Sequence, residues 1–142
     1  MPLHNLLQER ATQGRPIRVG IIGAGKFGSM YLAQARRTAG VHIMAIADLS
    51  PHRARMALRR VGGPKEQYDA TSFADAVATG KTFITEDSQA LVAADGLDVV
   101  IDATGVPAVG IRHALLAAEH GRHIVMVNVE ADVLAGPLLA RK

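Results

Sequence analysis

The sequence predicts an α/β protein with a doubly wound parallel sheet of at least five strands. Five short runs rich in β-branched residues alternate with longer, helix-like stretches, which is the pattern of that fold class. Most of the runs are continuously apolar, as expected for strands buried on both faces of a parallel sheet. The runs are IRVGII at 17–22, HIMAIA at 42–47, TFIT at 82–85, DVVID at 98–102 and HIVMVN at 123–128.

The stretches between the runs carry signals for helix ends. A proline at the first helical position, a Ser or Asp cap and a glycine just beyond the last turn are typical of such ends. These signals predict helices over 26–38, 51–61, 73–80 and 107–120, and the spacing of Leu3, Leu6 and Leu7 suits a short amphipathic lead-in helix within residues 1–16. Ser72 with Asp75 is the predicted capping pair of the fourth helix, and residues 64–81 read as an insertion before the third strand.

The first strand runs into VGIIGAGKFGS at 19–29, which fits two phosphate-binding motifs. A P-loop requires Ser or Thr after its Lys to ligate Mg²⁺, and this chain has Phe27 there. The G-x-G-x-x-G motif of a Rossmann-type dinucleotide-binding turn fits instead. That motif needs three glycines, for a tight turn, for approach of the pyrophosphate and for helix packing, and this chain has all three. The predicted cofactor-binding turn comprises Gly23, Ala24, Gly25, Lys26, Phe27 and Gly28.

An acidic residue, Asp48, follows the second predicted strand at the distance from the glycine motif that is typical of dinucleotide-binding folds. A carboxylate there accepts hydrogen bonds from the adenosine ribose and repels a 2′-phosphate, which favours NAD. Arg53 lies close behind and can pair with the 2′-phosphate of NADP instead. The sequence leaves NAD and NADP open. Arg59 and Arg60 are interpreted as a solvated helix face.

Two further stretches lie at the predicted carboxyl edge of the sheet, where such folds bind ligands. IDATGVP at 101–107 places the Thr104 hydroxyl there, beside small residues that leave room for a flat cofactor. VNVEADV at 127–133 directs Asn128 and Glu130 toward the same edge, with Glu130 a general base, a ligand for a substrate hydroxyl or a surface carboxylate at a helix entry.

The composition excludes several classes of function. Cysteine is absent, so there are no disulfides, thiolate nucleophiles or cysteine zinc sites, and a cytoplasmic location is expected. The net charge of +3 is scattered and aromatic residues make up 4%, so no nucleic-acid partner is expected. No apolar run approaches the ~20 residues that span a bilayer, so no membrane partner is expected.

The histidines predict no metal site. His113, His120 and His123 are expected to face solvent or cap a helix, because their spacing does not aim three imidazoles at one point. No Ser-His-Asp set can be argued from spacing, and no catalytic residue is assigned.

The chain resembles the NAD(P)-binding domain of homoserine-dehydrogenase-like oxidoreductases, through IRVGIIGAGKFGS, DVVIDATG and HIVMVNVEADVLAGPLLARK. VNVEADV and the 64–81 insertion are similar to a subgroup with a C-terminal SAF domain, which includes 1-deoxy-D-xylulose 5-phosphate reductoisomerase-like enzymes. The family usually has Lys directly after its Asn, where this chain has Val129. The resemblance implies cofactor roles for Gly23, Gly25, Gly28, Asp48, Thr104, Gly105 and Asn128.

We therefore expect the dinucleotide-binding domain, residues 17–142, of an NAD(P)-dependent oxidoreductase that transfers hydride to or from a small hydroxy or keto substrate. The Gly136-Pro137 start of a further helix near the end of the sequence suggests a truncated enzyme. The substrate domain would then be absent, the 142-residue chain inactive alone, and the full-length protein a homo-oligomer. The alternative is a non-catalytic NAD(H)-sensing regulatory module of the same fold.

Overall fold

Five parallel strands form one sheet in the order β3-β2-β1-β4-β5. The computed structural model describes residues 3–23, 39–60, 64–104 and 106–126. The strands are β1 Ile17–Ile22, β2 Val41–Ala47, β3 Phe83–Thr85, β4 Val99–Asp102 and β5 His123–Met126. The chain builds outward from β1 to β3, then returns to place β4 on the other side of β1, which is the doubly wound arrangement that the sequence predicts.

The described residues contain five helices and one short 3-10 helix, of which the first helix precedes the sheet and the others connect its strands. They are α1 Leu3–Thr12, α2 Pro51–Arg60, the 3-10 helix Lys65–Tyr68, α3 Phe73–Thr79, α4 Ser88–Ala93 and α5 Pro107–Glu119. The helix predicted over 26–38 lies outside the described residues. The predicted cap of α3 is confirmed, since the Ser72 hydroxyl accepts a 3.0 Å hydrogen bond from the Asp75 amide.

Helix α4 has no counterpart among the predicted helices, although its start carries a usable signal. The Asp87 carboxylate accepts a 2.9 Å hydrogen bond from the Ala90 amide, which is the contact of an N-terminal cap. With only six residues, α4 is too short for a helical repeat to show in the sequence.

Helices cover both faces of the sheet. On one face, Ile21 of β1 and Ile46 of β2 pack against the small residues Ala54 and Ala57 of α2. On the other face, strands β2 and β4 pack against α4 and α5, in a cluster that includes Met44, Leu91, Val92, Val100 and Ala117. The strands are therefore buried on both sides, as their continuous apolar runs predict.

One extra residue in β2 shifts the alternation of its side chains. Val19 pairs with Ile43 and the next residue, Gly20, pairs with Ala45, so Met44 has no partner in β1. As a result Ile43 and Ile46 pack in the same cluster, although residues that are three positions apart in a regular strand point to opposite faces. Asp48, two residues beyond Ile46, follows on the side that α2 covers.

Helix α1 packs against the turn that leads into β2. Gly40 is buried and has a positive φ of 82°, and a methyl group at its Cβ position would collide with the Leu7 carbonyl. The Gly40 carbonyl accepts a 2.7 Å hydrogen bond from the Ile17 amide at the start of β1. The lead-in helix is thus part of the folded unit. Within the described residues, no helix has the length and apolar character needed to cross a membrane.

We predict that Gly40→Ala lowers the free energy of unfolding by roughly 3 kcal/mol or more, since it adds backbone strain to a collision with α1. Gly121→Ala is the matched control, because Gly121 also has a positive φ, of 68°, but nothing lies within 4 Å of its Cβ position. The control should lose about 1–2 kcal/mol in urea unfolding followed by circular dichroism. Equal losses in the two variants would show that the α1 contact contributes nothing.

Candidate functional site

The predicted site lies at the carboxyl ends of the central strands, where the strand order reverses. β1 and β4 are neighbours although they are not consecutive in sequence, so the turns that follow them run to different parts of the fold. A crevice opens between such turns, and dinucleotides bind there in doubly wound folds. Gly23 follows β1, Ala103 follows β4 and Asp48 follows β2.

Gly23 holds the ends of β1 and β4 close together. Its φ is 94°, and an added Cβ would lie 2.9 Å from the Ala103 carbonyl oxygen and 3.2 Å from the Thr104 amide nitrogen. Its amide donates a 2.8 Å hydrogen bond to the Ala47 carbonyl, and the Ala103 amide donates one of the same length to the Ile22 carbonyl. Only glycine satisfies both the φ angle and the approach. Gly23 has the positive φ that a tight turn requires, and its contact with β4 is an additional constraint.

Asp48 and Arg53, for which the sequence predicts separate roles, bind each other. Arg53 Nη2 lies 3.0 Å from each Asp48 carboxylate oxygen, and Arg53 Nε donates to Oδ2 at 3.2 Å. The Ser50 amide donates to Oδ1 at 2.8 Å. The Asp48 side chain has no exposed surface, whereas that of Arg53 is 61% exposed. Arg53 is therefore the member of the pair that is free to move.

Thr104 lies at the predicted edge, but its hydroxyl is already engaged. Asp102, the last residue of β4, accepts hydrogen bonds at one oxygen, Oδ1, from the Thr104 amide at 3.0 Å and from the Thr104 hydroxyl at 2.8 Å. The hydroxyl proton is thus given to Asp102, and the Thr104 oxygen also accepts a 3.4 Å hydrogen bond from the Val106 amide, so it can offer a ligand only its second lone pair.

The prediction that His113 faces solvent or caps a helix is wrong. His113 is 2% exposed, and its Nδ1 lies 2.7 Å from Asp102 Oδ2, while its Nε2 lies 3.1 Å from the Ser88 hydroxyl. His120 and His123 are exposed. The burial of His113 could have been predicted from the helical repeat of the sequence. The buried positions of α5 are 110, 113, 114 and 117, which form a single stripe that includes His113.

Spacing along the chain did not reveal this Ser-His-Asp contact, since its three members come from α4, α5 and β4. Burial alone raises the pKa of Asp102, but the hydrogen bonds from His113 and Thr104 outweigh it and hold that pKa below its ordinary value. Asp102 is therefore an ionised carboxylate buried at the carboxyl end of β4, with donors on both oxygens.

The remaining predicted site residues, Ala24, Gly25, Lys26, Phe27, Gly28, Gly105, Asn128 and Glu130, lie outside the described residues, and their roles stay predictions. Arg59 and Arg60 are exposed, in agreement with a solvated helix face. Within the ranges that the structure describes, no cluster of three His, Asp or Glu residues could hold a metal ion.

The sequence matches, over residues 17–127, a family described as an oxidoreductase family with an NAD-binding Rossmann fold. The chain belongs to this Gfo/Idh/MocA oxidoreductase family. The matched range extends from the start of β1 to just past the end of β5, so it contains the whole sheet. The cofactor of this Gfo/Idh/MocA domain is a nicotinamide dinucleotide, as the glycine motif predicts. No curated protein matches the chain by sequence.

Solved structures share the fold. Myo-inositol dehydrogenase from Lactobacillus casei, in complex with NAD(H) and myo-inositol, has a TM-score of 0.66 at 16% identity over 89% of this chain and 32% of its own. Biliverdin reductase from Synechocystis, with biliverdin and NADP⁺, has a TM-score of 0.66 at 19% identity over 89% and 34%. Levoglucosan dehydrogenase with NADH and L-sorbose has a TM-score of 0.56 at 26% identity over 78% and 27%. This Gfo/Idh/MocA chain spans about a third of the length of these proteins.

We predict that Asp102→Asn lowers the free energy of unfolding by about 1–3 kcal/mol at pH 7, because it removes a hydrogen-bonded buried carboxylate. The folded-state pKa is lowered, so this stabilisation is complete above the unfolded pKa of ~3.9 and is lost as pH falls through the folded value. The difference between wild type and variant should therefore shrink below about pH 4 in urea unfolding. Asp95→Asn, at an exposed carboxylate, is the control. A difference that stays constant down to pH 2 would contradict this account.

Proposed function

We propose that the chain is the dinucleotide-binding domain of an NAD(P)-dependent oxidoreductase that transfers hydride to or from a small hydroxy or keto substrate. The observation that carries the proposal is the convergence of Gly23 and Asp48 at the switch point of a sheet whose sequence matches an NAD-binding family. When bound, the nicotinamide supplies the hydride chemistry, and the residues described here bind and orient it.

The residues at this edge fit a dinucleotide. Gly23, the first glycine of the motif, has the positive φ that lets the chain turn tightly at the end of β1, beside the place where the pyrophosphate binds in such folds. The buried Asp48 carboxylate accepts hydrogen bonds and has the chemistry that ribose hydroxyls require. The turn at Thr104 offers an acceptor oxygen on the β4 side of the crevice. Acceptors on both sides of Gly23 suit a ligand that spans the crevice.

The pairing of Asp48 with Arg53 couples recognition of the two cofactors. The Asp48 carboxylate has no exposed surface, so a ribose hydroxyl reaches it only when a neighbouring group moves, and Arg53 is the exposed partner. NADP carries a 2′-phosphate that competes with Asp48 for the same guanidinium. We propose that Asp48 favours NAD and Arg53 favours NADP, each at the expense of the contact between them.

The matched family supports an oxidoreductase, and the small hydroxy or keto substrate is our proposal. Neither it nor the structural neighbours, which include inositol dehydrogenases, supports the narrower homoserine dehydrogenase or 1-deoxy-D-xylulose 5-phosphate reductoisomerase-like assignment. We propose that residues 17–142 form the cofactor domain and residues 1–16 its lead-in. We also propose that a region outside this chain binds the substrate and mediates oligomer formation. The length of the neighbours supports this division.

The proposal predicts that the 142-residue chain binds NADH or NADPH more tightly than ATP·Mg²⁺, since Phe27 cannot ligate the metal. Isothermal titration calorimetry with the three nucleotides measures this directly. We expect no dehydrogenase turnover, because the substrate-binding region is elsewhere. A folded chain that prefers ATP·Mg²⁺, or that binds neither dinucleotide, would overturn the proposed function.

Asp48→Ala should weaken NADH about ten- to a hundredfold and NADPH less, because it removes a charge-assisted acceptor and frees Arg53 for the 2′-phosphate. Arg53→Ala should weaken NADPH selectively. Glu86→Ala is the matched control, since Glu86 is an exposed acid that follows β3 as Asp48 follows β2. The readout is the ratio of the two dissociation constants. Equal losses of both cofactors in Asp48→Ala would place the carboxylate away from the ribose.

A further inference from the structure

Four polar side chains form a continuous hydrogen-bonded line at the carboxyl end of β4. Ser88 contacts His113 at 3.1 Å, His113 contacts Asp102 at 2.7 Å, and Asp102 binds the amide and hydroxyl of Thr104. Asp102 has no exposed surface, and the His113 side chain is 3% exposed. Asp102 and His113 are therefore buried polar groups whose function the proposed hydride transfer does not by itself explain.

We propose that Ser88, His113 and Asp102 are positioning residues that hold the β4–α5 turn in the shape that receives the nicotinamide half of the dinucleotide. The inference rests on the proposed function and deepens it. None of the three residues needs to contact the cofactor, because they act through the backbone and hydroxyl of Thr104.

The two oxygens of the Asp102 carboxylate bind different parts of the fold. Oδ1 binds the turn through Thr104, and Oδ2 binds His113 on α5. A carboxylate is planar and rigid, so fixing one oxygen on the helix fixes the direction of the other toward the turn. An apolar side chain in the same space would pack but would not set that direction, which is what a buried polar network adds.

His113 is itself held in one orientation. An ionised carboxylate only accepts hydrogen bonds, so Nδ1 carries the proton that His113 donates to Asp102. In the neutral ring Nε2 is then an acceptor, and the Ser88 hydroxyl donates to it. Ser88 begins α4, whose start is capped by Asp87, so the end of the line is anchored to a second helix.

The turn that this line supports lies on the β4 side of the point where the strand order reverses, where doubly wound folds bind dinucleotides. The Ala103 carbonyl and Thr104 amide are the groups that lie against Gly23, at 2.9 and 3.2 Å from its Cβ position. Movement of the turn therefore changes the gap between the ends of β1 and β4. In the two-halved arrangement of this fold, the β2 side holds the adenosine and the β4 side the other mononucleotide. Movement of the turn should therefore change the binding of the nicotinamide half.

The test compares NADH with AMP, which contains only the adenosine half, as ligands of the 142-residue chain. His113→Leu removes the donor to Asp102, and His113→Asn restores it, because its amide nitrogen occupies the place of Nδ1. His120→Leu, at an exposed histidine at the end of the same helix, is the matched control. Calorimetry gives both affinities, and the fluorescence of bound NADH reports the environment of the nicotinamide.

We expect His113→Leu to weaken NADH roughly tenfold, the cost of about one lost hydrogen bond, and to leave AMP affinity unchanged. His113→Asn should recover most of the loss. If His113→Leu does not fold, Ser88→Ala removes only the outermost contact and should weaken NADH roughly twofold in the same selective way.

Parallel losses of AMP and NADH would show that the line is merely structural. Unchanged NADH affinity and fluorescence in a folded His113→Leu chain would overturn the inference, and the proposed function would survive. Wild-type protein that binds AMP but not NADH would overturn the inference and the proposed function together.

Discussion

The central strand β1 pairs with a strand on each side and lies between helix-covered faces, and the arrangement of the remaining groups follows from this constraint. The backbone groups of such a strand are used in the sheet, and a polar side chain along it would lose water without gaining a partner. From their third residue onward β1 and β2 are accordingly apolar, and so is β4 before Asp102. Polar chemistry is confined to the strand ends, where Asp48 and Asp102 lie and where a ligand can enter.

The strands could be predicted from the sequence almost to the residue, because the same burial constraint that shapes the sheet makes each strand a continuous apolar run. Asp48 and Gly23 could be placed at the carboxyl edge for a related reason, since each directly follows such a run. The partners of these residues could not be predicted. His113 meets Asp102 only after a strand and a helix have packed together, and Ser88 comes from a helix too short to show a period.

A single irregularity in β2 shows a second limit on prediction. The composition of HIMAIA does not reveal that Met44 has no partner in β1, because all its residues are compatible with a buried strand. Yet the extra residue decides which face each later side chain occupies, and so brings Asp48 to the side of α2, where Arg53 can reach it. The pairing that governs the predicted choice of cofactor thus depends on register, which only the assembled sheet determines.

The two buried carboxylates at this edge meet the same physical problem in different ways. Each would be costly to bury alone, and each is bound by a basic side chain from the helix that follows its strand. The partner of Asp102 is itself buried and held by a second helix, so replacing His113 would leave one oxygen of a buried carboxylate, Oδ2, without water or a donor. Arg53, the partner of Asp48, has a flexible side chain that is 61% exposed, so water can solvate its charge when it leaves the carboxylate.

A ligand that brings hydroxyl donors or a phosphate can therefore bind one member of the Asp48–Arg53 pair in place of the other. The same ligand cannot displace His113 from Asp102 without disrupting the packing of two helices. The exchangeable pair suits recognition of the cofactor, and the fixed pair suits the wall against which the cofactor is held.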